Sequence, residues 1–161
     1  AIRTRGGEAT DDIVAGALRY QFLKVKIGSD VVFDVGDAVS LQGNTGSYLQ
    51  YAYARAKSIL KKSQVTAPTL KDITTLNTSE RALVRKMTEY HDVVSVARRD
   101  LQPHQICTYL YELAQEFNRF YEKNKVIGNE EEAKRIALVA RYAETLQGGL
   151  EILGISPPET M

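Results

Sequence analysis

The sequence predicts an all-α protein, a bundle of about five or six helices that forms a single domain over residues 1–161. Five stretches carry apolar residues every three to four positions, which is the spacing of one helix face. Glycine, proline or short polar runs separate these stretches. Hydrophobic residues make up 43% of the 161 positions and charged residues 25%, a composition that supports one hydrophobic core.

The first predicted helix covers residues 11–25 behind an acidic first turn. Its apolar residues fall on two stripes and leave little polar surface, so we expect this helix to be buried. The two stripes consist of Ile13, Val14, Ala17, Leu18, Tyr20 and Phe22. Residues 27–43 alternate like a strand at Phe33 and Val35, but glycines interrupt them, and we predict a loop with a brief extended piece.

The second predicted helix, residues 47–62, is rich in tyrosine. Core helices are mostly filled with side chains that lack polar atoms, whereas each buried tyrosine hydroxyl needs a hydrogen-bond partner. Tyr48, Tyr51 and Tyr53 therefore indicate either packing at the edge of the core or a binding role.

The second half of the chain follows a polar stretch, residues 63–72, which is predicted to be an internal linker. Thr78 or Ser79 is expected to cap the next helix, with Glu80 in its first turn. Residues 91–100 are predicted to form a separate short helix. The helix that begins near position 78 has an apolar stripe at Leu83, Met87 and Tyr90.

The two strongest helical patterns come last. Pro103 suits the first position of a long helix, because the N–H that proline lacks has no partner there. The apolar positions of this helix are Ile106, Leu110, Leu113, Phe117 and Phe120. A final helix is predicted to begin on the acidic residues 130–132 and to end before Gly154. Its apolar positions are Ile136, Ala140, Ala143, Leu146, Leu150 and Leu153.

Composition argues against several classes of function. A net charge of +1 gives no overall basic field for nucleic acid or an anionic membrane, so any such binding must rest on a local patch. No apolar run reaches the length of a membrane span, and no membrane association is predicted. The N-terminal segment, residues 1–10, lacks the apolar core of a secretory signal, so a cytoplasmic location is expected.

Candidate chemical sites are few. GNTGS at 43–47 opens a helix, but it lacks the lysine and the glycine spacing of a phosphate loop. His104 and Cys107 share a helix face, yet no third group is evident to orient the histidine for thiol chemistry. The acidic residues 130–132 are expected to be solvated and to complement the helix dipole. We therefore predict no catalytic residue, cofactor or metal in this chain.

Four blocks of the sequence resemble the C-terminal part of arginyl-tRNA synthetase, in order and with similar spacing. They are GALRYQFL at 16–23, GNTGSYLQYAYARAKSIL at 43–60, LQPHQICTYLYELAQEFNRFYEKNKVIG at 101–128 and GGLEILGISPPETM at 148–161. That part of the family is an α-helical anticodon-binding domain named for an Asp-Ala-Leu-Arg run, which here reads Gly16-Ala17-Leu18-Arg19.

The resemblance implies that the partner is an arginine-accepting tRNA and that Tyr51, Arg55, Tyr121 and Met161 lie at its anticodon loop. The spacing agrees in part, since a ring and a guanidinium four residues apart on a helix share one face. Arg119 and Lys123, which are close to Tyr121, are candidate contacts to the RNA backbone. Arg19 is interpreted either as an RNA contact or as a structural residue that holds the loop before the second helix. Packing is expected for Tyr48, Tyr53, Tyr109 and Tyr111.

The resemblance also implies that the full-length enzyme is a class I arginine-tRNA ligase that uses ATP and Mg, with its catalytic domain as a second partner. Neither catalytic signature of the family is complete here, so this chain alone is predicted to be inactive; IRTRGG at 2–7 is only a faint match to one of them. Three alternatives stay open: a stand-alone RNA-binding protein, a helical protein-interaction module and, more remotely, a thiol hydrolase built around Cys107. No oligomer is implied.

Overall fold

The computed structural model describes residues 11–65 and 75–161, and within them it contains helices and no strand. The helices are α1 (Asp11–Leu23), α2 (Val35–Ala38), α3 (Gly46–Lys62), α4 (Thr78–Thr88), α5 (Tyr90–Asp100), α6 (His104–Lys123) and α7 (Glu132–Ile152). Apart from α2, which is a single turn, six helices have 11 or more residues. The all-α prediction is confirmed. Residues 1–10 and most of the predicted linker 63–72 lie outside the described residues.

Helices α6 and α7 form the centre of the bundle. The five predicted apolar positions of α6 are all buried, and α7 is buried on most of its sides. The Phe117 ring of α6 stacks on the Tyr142 ring of α7, with centroids 3.8 Å apart and planes within 3°. Helix α4 packs on α6 and α7, whereas α3 packs on α1, α6 and α7. One face of α3 is therefore fixed between the two central helices and α1.

The prediction that α1 is buried is wrong for one of its two stripes. Ile13, Ala17 and Tyr20 are buried against the bundle. Val14, Leu18 and Phe22 are 39%, 42% and 56% exposed, because α1 lies at the edge of the bundle and the described residues cover one of its sides. Phe22 stacks instead on Phe33 of the following loop, with centroids 5.9 Å apart.

The segment that follows α1 also differs from its prediction. Val35, which we expected in an extended piece with Phe33, begins the one-turn helix α2, whereas Asp34 directly before it has extended backbone angles. The Asp34 carboxylate accepts a hydrogen bond from the Asp37 N–H and so caps that turn. This hydrogen bond stabilises the turn, and over so few residues it outweighs the weak strand preference of Phe33 and Val35.

The boundary regions of α4 and α5 differ from their predictions. Asn77, rather than Thr78 or Ser79, caps α4, and its side chain and Glu80 form a reciprocal capping box. Tyr90 belongs to α5 and not to the stripe of α4, because α4 ends at Thr88. Pro103 has helical backbone angles and lies directly before α6. Leu101 closes α5 in the left-handed conformation, with φ of 53°.

Candidate nucleic-acid interface

Helix α3 presents its tyrosines to different surroundings. Thr45 caps the helix through a hydrogen bond from the Tyr48 N–H and so fixes its start. Tyr53 then faces the core at 3% exposure, and its hydroxyl donates to Gln147 Oε1 at 3.0 Å. Tyr51 is 40% exposed and makes no hydrogen bond or ring contact within the described part of the chain. Its ring and hydroxyl are therefore available to a ligand.

Arg55 lies one turn after Tyr51 and reaches across to α6. Its guanidinium carbon is 4.6 Å from the centroid of the Tyr121 ring, which is cation–π geometry. Arg55 and Tyr121 are both only partly buried. The pair combines a positive charge with an aromatic surface at the junction of α3 and α6.

A hydrogen-bonded group of side chains lies beside this pair. Arg55 Nη1 donates to Asn118 Oδ1 at 3.3 Å, and Asn118 Nδ2 donates to the Tyr48 hydroxyl at 2.8 Å. Tyr111 packs its ring edgewise on Tyr48, with centroids 5.7 Å apart. Burial raises the pKa of Tyr48, so its hydroxyl stays neutral. Sequence reasoning missed Asn118, since an isolated asparagine on a helix carries no signal of its own.

The C-terminal tail runs along α3. Gln50 Nε2 donates to the Ser156 carbonyl at 3.2 Å, and Glu159 pairs with Lys57 and Lys61, each at 3.2 Å. Met161 follows two residues later and is 39% exposed. These contacts hold the chain terminus on the α3 side of the bundle.

The structure thus brings some of the predicted RNA-binding residues into contact and leaves others apart. Arg55 and Tyr121 are in direct contact, and Tyr51 shares a helix with Arg55. Met161 makes no hydrogen bond, ion pair or ring contact with any described residue. The assignment of these four residues to RNA binding stays a prediction.

The two candidate contacts to the RNA backbone, Arg119 and Lys123, differ in whether a carboxylate of the protein already pairs with them. Arg119 forms an ion pair with Glu116, so a phosphate would have to compete with that carboxylate. Lys123 is exposed and has no ion-pair partner in the described residues. It lines an open groove of about 460 Å³ beside Tyr121, together with Ile59, Asn124 and Val126.

Arg19 has a structural contact that differs from the one expected. Its Nη1 donates to the carbonyl of Gly154, just beyond α7, and not to the loop before α3. This bond ties α1 to the start of the C-terminal tail. The four tyrosines predicted to pack do so: Tyr53 and Tyr109 are buried, and Tyr48 and Tyr111 are partly buried against each other.

Two residues of the remaining candidate sites, Cys107 and Gly46, are buried. Cys107 is fully buried, and burial raises the pKa of its thiol to about 12, which contradicts the hydrolase alternative because a thiolate is required. Gly46 of GNTGS is the first residue of α3 and is buried against α1, so α1 blocks an anion from the start of α3.

In the parts of the chain that the structure describes, no three His, Cys, Asp or Glu residues cluster to hold a metal. None of the described helices has the length and apolarity to cross a membrane.

A family model and individual relatives match this chain. The family model described as DALR anticodon binding domain matches residues 49–161. Arginine–tRNA ligase of Frankia casuarinae is 42% identical over 91% of this chain, and that of Thermobifida fusca is 40% identical over 93%. The chain spans about a quarter of the length of these relatives, 25% and 27%.

Two solved structures have the same fold. Thermus thermophilus arginyl-tRNA synthetase superposes with a TM-score of 0.87 and 31% identity over 99% of this chain and 29% of its own. Arginyl-tRNA synthetase from Plasmodium falciparum gives a TM-score of 0.83 and 29% identity over 93% of this chain and 27% of its own. The family match includes Tyr51, Arg55, Tyr121 and Met161. The chain belongs to the DALR anticodon binding domain family.

Proposed function

We propose that this chain recognises the anticodon stem-loop of an arginine-accepting tRNA and that it does so as the C-terminal domain of an arginine-tRNA ligase. The observation that carries the proposal is the surface formed by Tyr51, Arg55 and Tyr121, which offers two rings and a guanidinium inside the family match. Unstacked loop bases are the part of an RNA that aromatic side chains and arginine bind best.

The contacts expected at this surface need no strongly basic protein. Each base that stacks on an aromatic side chain contributes about 1–3 kcal/mol, and phosphate contacts set the register of the RNA without reading its sequence. Arg55 and the exposed Lys123 supply local positive charge within a chain whose net charge is only +1. Binding thus rests on a few placed side chains and not on a general field.

Catalysis belongs, in this proposal, to the rest of a longer protein. Relatives of whose length this chain spans about a quarter are named as ligases, and the catalytic domain of the same protein is the second proposed partner. ATP and Mg would supply amino-acid activation there and would bind residues outside this chain. The domain described here positions the tRNA and contributes specificity through the anticodon, in a cytoplasmic enzyme.

Binding of an arginine tRNA to this chain at low and at moderate salt tests the proposal. We expect measurable affinity that falls as salt rises, because counterions displaced from the phosphates return to the RNA. An isolated anticodon stem-loop should compete with the whole tRNA, since the proposed contacts lie in that loop. Failure of the hairpin to compete, or an affinity insensitive to salt, would contradict the proposal.

A further inference from the structure

The amide of Asn118 connects the two helices that carry the proposed RNA-binding surface. Arg55 Nη1 lies 3.3 Å from Asn118 Oδ1 and Tyr48 Oη lies 2.8 Å from Asn118 Nδ2. Arginine can only donate, so the oxygen of the amide must face Arg55 and its NH₂ group must face Tyr48. Both polar ends of the amide are therefore occupied, and its orientation is fixed.

The positions of these residues in their helices bring them together. Tyr48 and Arg55 are seven residues apart on α3, which places them on one face two turns apart. Asn118 and Tyr121 are three residues apart on α6 and are also neighbours. The guanidinium of Arg55 therefore meets the amide of Asn118 and the ring of Tyr121 together.

The amide holds the arginine without neutralising it. Arg55 has no ion pair with any carboxylate of the described residues, whereas Arg119, one residue after Asn118, is paired with Glu116. A neutral acceptor stabilises the orientation of a guanidinium and leaves its whole charge for an anionic ligand. An aspartate of the same shape would hold the arginine more tightly but would cancel that charge.

We propose that Asn118 is a positioning residue for RNA binding: its amide holds the Arg55 guanidinium over the Tyr121 ring and keeps the arginine charge free for the RNA. This inference rests on the proposed function, because it assumes that Arg55 and Tyr121 touch the RNA. Asn118 itself acts through Arg55.

The substitution Asn118→Asp separates this role from a purely structural one. The variant should fold with a thermal midpoint equal to or above that of the unmodified chain, since the new carboxylate can pair with Arg55. Its affinity for the arginine tRNA should fall on the order of tenfold, and the slope of log affinity against log salt should be shallower by about 0.7, the value for one lost cationic contact to a single strand. The matched control is Gln115→Glu, which adds the same charge one turn earlier on α6 at a residue that makes no hydrogen bond to Arg55, and it should lower affinity less than Asn118→Asp does.

A second variant tests the orientation without RNA. Asn118→Leu removes both hydrogen bonds, so the Arg55 side chain should lose the ring-current shift of its Hδ protons that stacking on Tyr121 produces in the NMR spectrum. A retained shift would show that the ring alone holds the arginine and would overturn the inference.

The outcomes of the binding experiment distinguish the two proposals. If Arg55→Ala weakens binding but Asn118→Asp matches the unmodified chain in affinity and salt slope, the inference about Asn118 is wrong and the proposed function stands. If the unmodified chain does not bind, or if Arg55→Ala and Tyr121→Ala both bind normally, the proposed function fails and the inference fails with it.

Discussion

Tyr51 and Tyr53 are two residues apart and have opposite environments. Side chains two residues apart on a helix point in directions that differ by about 200°, so one ring faces the core when the other faces outward. Tyr53 satisfies its hydroxyl on Gln147, whereas Tyr51 is 40% exposed with its ring uncovered. This difference separates a packing tyrosine from a candidate ligand-binding tyrosine, a distinction that their identical chemistry does not make.

Loss of the Tyr51 ring or of the Tyr121 ring should weaken RNA binding without unfolding the protein. For Tyr51→Ala and Tyr121→Ala we expect the free energy of tRNA binding to weaken by about 1–3 kcal/mol each, because the first variant loses a ring on which a base can stack and the second loses the ring that supports the Arg55 guanidinium. Calorimetric titration with arginine tRNA measures this change. Tyr51→Phe is the matched control and should retain most of the affinity, because it keeps the ring. Unchanged affinity in a folded Tyr51→Ala/Tyr121→Ala double variant would exclude these rings from the interface.

Glu80 is the other residue whose environment decides its role. It is fully buried, and its carboxylate accepts from Arg135 at 2.9 Å, from the Asn77 N–H at 2.9 Å and from Lys134 at 3.1 Å. Burial alone would raise the pKa of Glu80, but the hydrogen bonds from Arg135, Asn77 and Lys134 outweigh it and hold that pKa below its ordinary 4.5. The ionised carboxylate therefore stabilises the folded state.

Glu80→Gln should lower the free energy of unfolding at neutral pH by about 3 kcal/mol, because Arg135 and Lys134 lose their buried counter-charge. The pKa of Glu80 is lower in the folded than in the unfolded state, so its contribution is present above the unfolded pKa and is lost as pH falls through the folded pKa. Urea unfolding of both proteins between neutral and acidic pH measures this effect. The difference between them should shrink on acidification. Glu130→Gln, at an exposed position, is the control, and a difference independent of pH would refute this account of Glu80.

At the scale of the elements, periodicity identified the long helices well and their surroundings less well. Every predicted apolar position of α6 is buried, because a helix with a single regular apolar stripe turns that stripe toward the core. Helix α1 is apolar on two stripes, and only the packing of the bundle decides which of them is covered. Asn77, Thr78 and Ser79 are all good capping residues in a row, so local sequence could not determine which one closes α4.

The crossing of α1 and α3 depends on glycine. A methyl group on Gly46 would lie 2.8 Å from Tyr20 Cβ and 2.9 Å from the Gly16 carbonyl oxygen, so the two helices would have to separate. We expect Gly46→Ala to destabilise the protein by about 1–3 kcal/mol through overpacking, although alanine favours helix. Thermal unfolding measures this, with the exposed Ser58→Ala on the same helix as the control. An increase in stability would show that α1 and α3 do not approach this closely.

At the scale of the whole molecule, the candidate site depends on how α3 and α6 are aligned against each other. Tyr51 and Arg55 could be paired from sequence because both lie on α3. The partnership of Arg55 with Tyr121 and Asn118 crosses from α3 to α6 and depends on how those helices slide against each other. The ion pairs that hold the tail through Glu159 likewise join residues far apart in the chain. Such contacts leave no pattern in a single sequence.

The central claim is that this bundle reads an anticodon. The most direct test compares the affinity of the chain for an arginine tRNA with its affinity for a tRNA that differs only in the anticodon, both at the same moderate salt. The account predicts tighter binding of the arginine anticodon by on the order of tenfold or more, because base contacts and not phosphates carry the difference. Equal affinity for the two tRNAs would contradict it.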